Sequence, residues 1–258
     1  MLRFLYAFLE TGPQVTIQLY VLLAFQQSNT GASMSEKHAV TMLKILATVG
    51  SLSLSMVTYN DDLRMSEGDE LSIPGFVVQI FYRLLIIASR ILTLVIFTTA
   101  FKFYVLIILI AHWVLMAIWV HLDKTAFFTN AAGKFNKCFE IIFQILMGFI
   151  YMYCYITTVP GPTLVKQTIY YLLFYFENII MLVLWIWFNE REFDTFEVSA
   201  ITTILLTMIL GIVFMLLYYK YFHPNTKREG LGREGSAHGE RVAGTTAKVV
   251  FGRGNVFM

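Results

Sequence analysis

The chain has 258 residues, of which 57% are hydrophobic and only 14% are charged, and its formal net charge is +2. A typical soluble domain carries about 25% charged residues, so this composition excludes an ordinary soluble protein. A net charge this small gives no electrostatic reason to expect nucleic acid as a partner. The composition predicts an all-α polytopic membrane protein.

Seven hydrophobic segments follow one another along the chain, each close to or above the roughly 20 residues that a spanning helix needs. They cover about residues 2–26, 39–59, 76–100, 103–122, 138–158, 165–188 and 198–222. These segments predict a transmembrane helical bundle over residues 1–222. Residues 223–258 are rich in glycine, lysine and arginine, and they predict a disordered tail on the cytoplasmic side.

The positions of the lysines conflict with seven full crossings. If all seven segments crossed and the tail were cytoplasmic, the lysine-rich loop 123–137 would be external, against the positive-inside rule. The conflict disappears if segment 138–158 is re-entrant, entering the membrane and returning to the same side. The loop 189–197 is then external. A different segment could also be the re-entrant one.

The first segment carries three polar side chains on one helical flank. Glu10, Gln14 and Gln18 are spaced i, i+4, i+8, so they lie above one another on a helix. An ionised side chain in the middle of a bilayer costs about 2.5–3.5 kcal/mol, and such residues usually face the interior of a bundle. We therefore expect this flank to face the interior.

Three further charges lie deep in apolar segments, namely Arg83, Arg90 and Glu177. The two arginines are two helical turns apart and share a face. Together with Glu10 they form a balanced set of two acids and two bases. One hypothesis is that these are paired charges that determine how the helices align. The other is a polar track for an ion or a lipid headgroup, formed by Glu10, Gln14, Gln18, Arg83, Arg90 and Glu177.

No motif indicates catalysis. The sequence has no nucleophile–base arrangement, phosphate-binding loop or metal-ligand spacing. His112 and His121 are nine residues apart and lie on opposed faces of a helix, and Cys138 and Cys154 are expected to be core thiols. We expect no enzymatic activity, no cofactor and no metal site.

Several stretches resemble one family of membrane proteins. Residues 2–23 (LRFLYAFLETGPQVTIQLYVLL) resemble the pattern LRxFExFLExxPQLxLQLYxxL of the XK-related family. In the same order come YNDDLR at residues 59–64, the region 81–97 around Arg90, and LGIVFMLLYYKYFHPN at residues 210–225. The resemblance covers about residues 2–225.

The resemblance implies a compact helical fold of two related repeats, with helices that enter the membrane without crossing it. Several family members look like scramblases of the plasma membrane, which move phospholipids, including phosphatidylserine, between leaflets without ATP. Some are activated in apoptosis when a caspase removes the tail. Glu10 and Arg90 match charged positions that the family buries, whereas Tyr6 stands where many members have a second glutamate.

Two departures from the family pattern are visible. Members usually have several helices before the motif with which this chain begins, so the resemblance implies that an N-terminal part is missing. No aspartate follows Asp194, so the tail contains no caspase cleavage site.

The leading hypothesis is a scramblase-type protein whose partners are membrane phospholipids. The alternative is a non-transporting scaffold that binds a lipid-transfer protein or another membrane subunit. A third hypothesis, an ion or solute transporter, is consistent with the buried charges but lacks a recognisable site for a coupling ion.

Overall fold

The computed structural model describes residues 2–28, 36–66, 71–123, 137–156, 164–188 and 195–222, and within these ranges it shows helices and no strand. The α-helices are α1 (Leu2–Tyr6), α2 (Gly12–Ser28), α3 (Glu36–Ser66), α4 (Ile73–Phe101), α5 (Val105–Leu122), α6 (Lys137–Ile150), α7 (Leu164–Phe188) and α8 (Thr195–Leu217). The predicted all-α architecture is confirmed. The predicted tail, residues 223–258, lies outside the described residues.

A π-helical turn, Ala7–Thr11, joins α1 to α2. It ends two residues before Pro13, which has no N–H to donate to the carbonyl of Leu9 and whose ring would crowd that carbonyl in a regular α-helix. The wider π turn accommodates the proline without ending the helix. Residues 2–28 therefore continue as one helical rod.

Helix α4 lies at the centre of the bundle and contacts α2, α3, α5, α7 and α8. The start of α4 lies beside the last described turn of the chain, Tyr218–Phe222. A Cβ added to Gly75 would come within 3.1 Å of the Phe222 side chain. Further along, Gly211 lies against Ile86 and Leu85. Helix α8 is therefore antiparallel to α4.

Helix α7 runs parallel to α4. Arg83 near the start of α4 bonds to Tyr171, and Thr99 near its end bonds to Trp185. Parallel helices start on the same side of a membrane, so the start of α7 lies on the same side as the start of α4.

Helices α4 and α5 form an antiparallel hairpin. Between them lies a 3₁₀ turn, Lys102–Tyr104, whose Lys102 has a left-handed φ of 46°. The backbone N–H of Lys102 bonds to the Thr98 carbonyl and closes α4. Helix α5 therefore returns to the side from which α4 began.

Helix α6 is too short to cross a membrane. Its 14 residues span about 21 Å, whereas the hydrocarbon core is about 30 Å thick. It packs antiparallel to α5, and a Cβ on Gly148 would come within 2.8 Å of the Ala117 backbone, so glycine is needed for this close approach.

The start of α7 lies on the same side of the bundle as the end of α5. Lys166 at the start of α7 forms an ion pair of 2.8 Å with Asp123 at the end of α5, so the two ends of the intervening segment lie together. This arrangement agrees with the expectation that segment 138–158, described here over residues 138–156, is re-entrant. Residues 124–136 of the lysine-rich loop 123–137 lie outside the described residues.

Four helical stretches in the described part of the chain are long and apolar enough to cross a membrane. They are Val40–Asp62, Ile73–Leu122, Val165–Phe188 and Glu197–Phe222, and the second contains the α4–α5 hairpin. These stretches indicate a multi-pass membrane protein.

Candidate functional site

The centre of the bundle contains the unwound end of the re-entrant helix. After Ile150 the chain makes a turn over residues 151–153 and has no regular secondary structure over residues 154–156. All of residues 151–156, here called the bend, are buried. The last carbonyls of a helix have no partner within that helix and carry a partial negative charge. In a membrane these carbonyls need partners from the protein itself.

Two buried arginines of α4 bind carbonyls of the bend. Arg83 Nη1 donates to the Tyr155 carbonyl at 2.9 Å and to the Tyr171 hydroxyl at 2.8 Å. Arg90 Nε donates to the Met152 carbonyl at 3.2 Å. Because the arginines are two turns apart on one face, each reaches a different level of the bend.

Arg90 also binds two groups on α7. Its Nη1 donates to Asn178 Oδ1 at 2.6 Å, and its Nη2 lies 2.7 Å from Glu177 Oε2. The guanidinium stacks beside the ring of Phe174, whose centroid lies 5.3 Å from Cζ. One side chain therefore links α4, α7 and the bend.

His112 of α5 completes this cluster. Its Nδ1 lies 2.8 Å from the same Oε2 of Glu177, and its Nε2 lies 3.2 Å from the Tyr151 carbonyl. That carbonyl also accepts a hydrogen bond of 2.6 Å from the Tyr170 hydroxyl. We call Arg83, Arg90, His112 and Glu177 the buried charge cluster.

The buried charge cluster agrees with the interpretation of paired charges that align the helices. The side chains come from α4, α5 and α7, and their partners are one another, groups on α7 and the carbonyls of the bend. Cationic side chains beside the carbonyl end of a helix stabilise that end. The cluster therefore holds the end of α6 and the bend in place inside the bundle.

The polar flank of the first helix lies elsewhere. Glu10, Gln14 and Gln18 are exposed on the outside of the described bundle, so the expectation that they face its interior together with Arg83 and Arg90 is wrong for the described residues. The reason is the apolar stripe on the opposite side of the same helix, which packs inward through Phe8, Val15, Leu19 and Leu22. We call the three exposed residues the polar stripe.

The polar stripe begins at the depth of the bend. Tyr153 of the bend has its ring 6.5 Å from that of Phe8, and the same ring lies 3.1 Å from a Cβ built on Gly12. Glu10 lies between these two contacts along the helix. Tyr6, one turn earlier on the same helix, is 67% exposed.

The structure thus separates the predicted track into two groups. It brings Arg83, Arg90 and Glu177 together, and it places Glu10, Gln14 and Gln18 on another surface. Sequence reasoning missed His112 and Asn178 as members of the central cluster. Asn178 directly follows Glu177, and this adjacency could have identified it as a member of the cluster. Nothing near His112 in the sequence indicates that it contacts Glu177, which lies 65 positions later on another helix.

Comparison with known protein families gives one result. Residues 1–224 match the family model described as XK-related protein. This match covers most of the chain and includes every described helix. The chain therefore belongs to the XK-related protein family.

Proposed function

We propose that this protein is a scramblase-type membrane protein, which lets phospholipids move between leaflets without ATP. The observation that carries the proposal is the polar stripe, an acid and two amides exposed on the side of a helix in a membrane bundle. Polar residues at membrane depth are expensive, and by default they indicate a pathway or a binding site.

The proposed mechanism is solvation along a surface, with no bond made or broken. The polar stripe runs from Glu10 to Gln18, which is eight helical steps, or about 12 Å along the helix axis. A lipid headgroup moving along it exchanges hydrogen bonds with water for bonds to the Glu10 carboxylate and the two amides. The acyl chains stay in the surrounding lipid, so only the headgroup needs a polar route.

In this proposal the buried charge cluster has a supporting role. Arg83 and Arg90 are almost fully buried, and their guanidinium groups bind the bend and α7. These contacts keep the re-entrant helix in place behind the helix that carries the polar stripe. Arg83, Arg90 and Glu177 are then positioning residues, and the headgroup contacts the polar stripe.

Three finer assignments belong to the same proposal and rest on the family resemblance. They are phosphatidylserine among the lipids that move, the plasma membrane as the location, and exposure of phosphatidylserine in apoptosis as the outcome.

The test is a lipid-accessibility assay in proteoliposomes with a fluorescent phospholipid and external dithionite. We expect bleaching of more than the outer half of the dye, with no leakage of a trapped soluble dye. Glu10→Gln should slow the second phase about five-fold, as expected for the loss of about 1 kcal/mol of polar stabilisation.

The matched control is Leu172→Ala, which changes an exposed apolar side chain on α7. It should leave the rate of lipid movement unchanged. Equal effects of the two variants would contradict a headgroup path along the polar stripe.

The same observation favours one alternative, a non-transporting scaffold. Glutamine and glutamate side chains also hydrogen-bond between helices in membranes, so the polar stripe could bind another membrane subunit. A stoichiometric partner that is lost in Glu10→Gln, together with no lipid movement by the folded protein, would support the scaffold over the scramblase.

A further inference from the structure

Arg83 uses only one side of its guanidinium group within the described residues. Its Nη1 donates to the Tyr155 carbonyl at 2.9 Å and to the Tyr171 hydroxyl at 2.8 Å. Its Nε is buried and has no hydrogen-bond partner in the described part of the chain. Nε and Nη2 form an edge through which a guanidinium can bind one acceptor with two N–H groups. This edge of Arg83 therefore offers donors to a further acceptor.

The charge of Arg83 has no counterion among the described residues. The Glu177 carboxylate lies 2.7 Å from Arg90 Nη2, whereas Arg83 makes no ion pair within the described ranges. Glu10, which the sequence suggested as the second acid of a balanced set, lies on the outside of the described bundle. A buried charge without a partner of opposite sign is destabilising. An anion beside Arg83 would compensate its charge.

A series of contacts leads from Arg83 through α7 to the last described turn. Tyr171, the hydroxyl partner of Arg83, lies one turn after Gln167 on α7. Gln167 Oε1 accepts a hydrogen bond of 2.7 Å from the Tyr219 hydroxyl. Tyr219 belongs to the last described turn, Tyr218–Phe222. The start of α7 and this turn are therefore joined close to Arg83.

The same turn leads back to Arg83 through Tyr82. The ring of Tyr218 lies 5.5 Å from the ring of Tyr82, whose centroid in turn lies 4.8 Å from Arg83 Cζ. The contacts thus form a closed circuit from α4 through α7 and the last described turn back to α4. Tyr82 is fully buried and Arg83 is 4% exposed, so this part of the circuit lies inside the bundle.

Several buried polar atoms of this circuit have no partner among the described residues. Besides Arg83 Nε, they include the Tyr82 hydroxyl and Gln167 Nε2, and all three can donate a hydrogen bond. Gln79, one turn before Arg83, has an unpartnered Oε1, and rotation of its amide would present the NH₂ group instead. Buried polar groups are nearly always satisfied, so several such donors in one place indicate an acceptor from outside the described chain.

We infer that Arg83, Tyr82 and Gln167 form an internal binding site for a small anion, and that its ligand is a halide such as chloride. A halide accepts hydrogen bonds from several directions at once, which suits a group of donors that contains no acid. A lipid headgroup is much larger, and the near-complete burial of Arg83 and Tyr82 favours the smaller ligand. The site is independent of the proposed lipid movement, because the polar stripe lies on the outer surface of the described bundle.

The first experiment compares the thermal stability of the purified full chain in sodium chloride and in sodium gluconate at equal ionic strength. A ligand that binds the folded state raises Tm, and gluconate is too large to replace a halide in a closed site. We expect Tm to be about 2–4 °C higher in chloride, and to reach a plateau as chloride replaces gluconate. An equal Tm in the two salts, or a rise with inorganic phosphate and not with chloride, would overturn the inference.

Two variants test the proposed ligands. Arg83→Gln should abolish the effect of chloride, but it also loses the bond to the Tyr155 carbonyl. Tyr82→Phe is milder, since it removes only a hydroxyl without a partner among the described residues, and the protein without chloride should keep its stability. The chloride concentration that gives half of the Tm effect should rise about five-fold in Tyr82→Phe, as expected for the loss of one hydrogen bond.

Tyr175→Phe is the matched control. Its hydroxyl is also buried without a partner in the described part of the chain, but it lies against α8, 3.5 Å from a Cβ built on Gly211. This variant should keep the chloride dependence of the unmodified protein. An unchanged chloride dependence in Tyr82→Phe, or an equal loss of it in Tyr82→Phe and Tyr175→Phe, would overturn the inference.

The last experiment locates the anion. Crystals of the full chain grown in sodium bromide should show anomalous scattering from a bromide ion beside Arg83 Nε and the Tyr82 hydroxyl. Bromide at other positions only, or a water molecule at this one, would overturn the assignment of the site.

Discussion

The buried charge cluster and the polar stripe contain the same kinds of residue in opposite surroundings. In the buried charge cluster, Arg90 binds a carboxylate, an amide and a backbone carbonyl. In the polar stripe, Glu10, Gln14 and Gln18 point away from the described bundle. The difference teaches that polar groups in a membrane protein can either stabilise irregular backbone or provide a polar surface. Substitutions should separate the two roles, because the first changes stability and the second changes lipid movement.

The largest effect is expected at Arg90. Arg90→Gln leaves the Glu177 carboxylate without its guanidinium and the Met152 carbonyl without its donor. Breaking a buried pair in this way typically costs about 3–5 kcal/mol. The measurement is the unfolding of the purified protein in detergent or lipid.

The control for Arg90 is the double variant Arg90→Gln, Glu177→Gln, which removes both charges. It should be more stable than Arg90→Gln alone, because no uncompensated carboxylate remains. Equal stability of the single and double variants would contradict the assignment of Glu177 as the partner of Arg90.

The next largest effect is expected at the contact between α5 and the re-entrant helix. Gly148→Ala places a Cβ 2.8 Å from the Ala117 backbone, so the helices must move apart, at a cost of about 1–3 kcal/mol. Gly50→Ala is the matched control, since its Cβ would meet only Leu84, at 3.9 Å. We expect Gly50→Ala to be neutral or slightly stabilising, because alanine favours a helix more than glycine does. Equal stability of the two variants would show that the close approach does not hold α6.

A smaller effect on stability, with an effect on activity, is expected in the polar stripe. Gln14→Leu and Gln18→Leu should each change the free energy of unfolding by less than about 0.5 kcal/mol, as is usual for surface substitutions. Each should slow lipid movement about two-fold in the dithionite assay, which is less than Glu10→Gln, because an amide binds a headgroup less strongly than a charged carboxylate does. Marked destabilisation without a change in rate would place the polar stripe with the buried charge cluster as a structural element.

The smallest effect is expected at the ion pair between Asp123 and Lys166. The Lys166 side chain is 40% exposed, so solvent screens this pair. Lys166→Ala should cost less than about 1 kcal/mol. The same unfolding assay measures this cost. A loss of stability as large as that of Arg90→Gln would mean that solvent exposure does not explain the difference in strength between the Asp123–Lys166 and Arg90–Glu177 pairs.

Much of the fold could be predicted from the sequence. The seven hydrophobic segments match the described helices closely, since an apolar run of about 20 residues has few alternatives to a helix in a membrane. The lysines between Asp123 and Lys137, together with Lys166, favoured segment 138–158 as the re-entrant one, because the side on which a lysine lies constrains the number of crossings. The short α6 and the ion pair between Asp123 and Lys166 agree with that interpretation.

The arrangement of the candidate site was predicted only in part. Arg83, Arg90 and Glu177 were identified because a charge in an apolar run is conspicuous. His112 was not connected to them, since its partner lies on a helix that is distant in sequence. The flank of Glu10 was assigned to the interior because a charge exposed to lipid is costly. That argument did not take into account that Phe8, Val15 and Leu19 form an apolar stripe on the opposite side of the helix, and that burying this stripe turns Glu10 outward.

The sequence by itself determined the class of protein, the positions of its membrane helices and which residues carry charge within them. These properties depend on composition and local periodicity, which any segment displays on its own. Only the tertiary structure decided which flank of the first helix faces outward and which groups bind Arg83, Arg90 and His112. The partners of these side chains include backbone carbonyls of the bend, which every residue possesses and which become distinctive only where a helix ends inside the bundle.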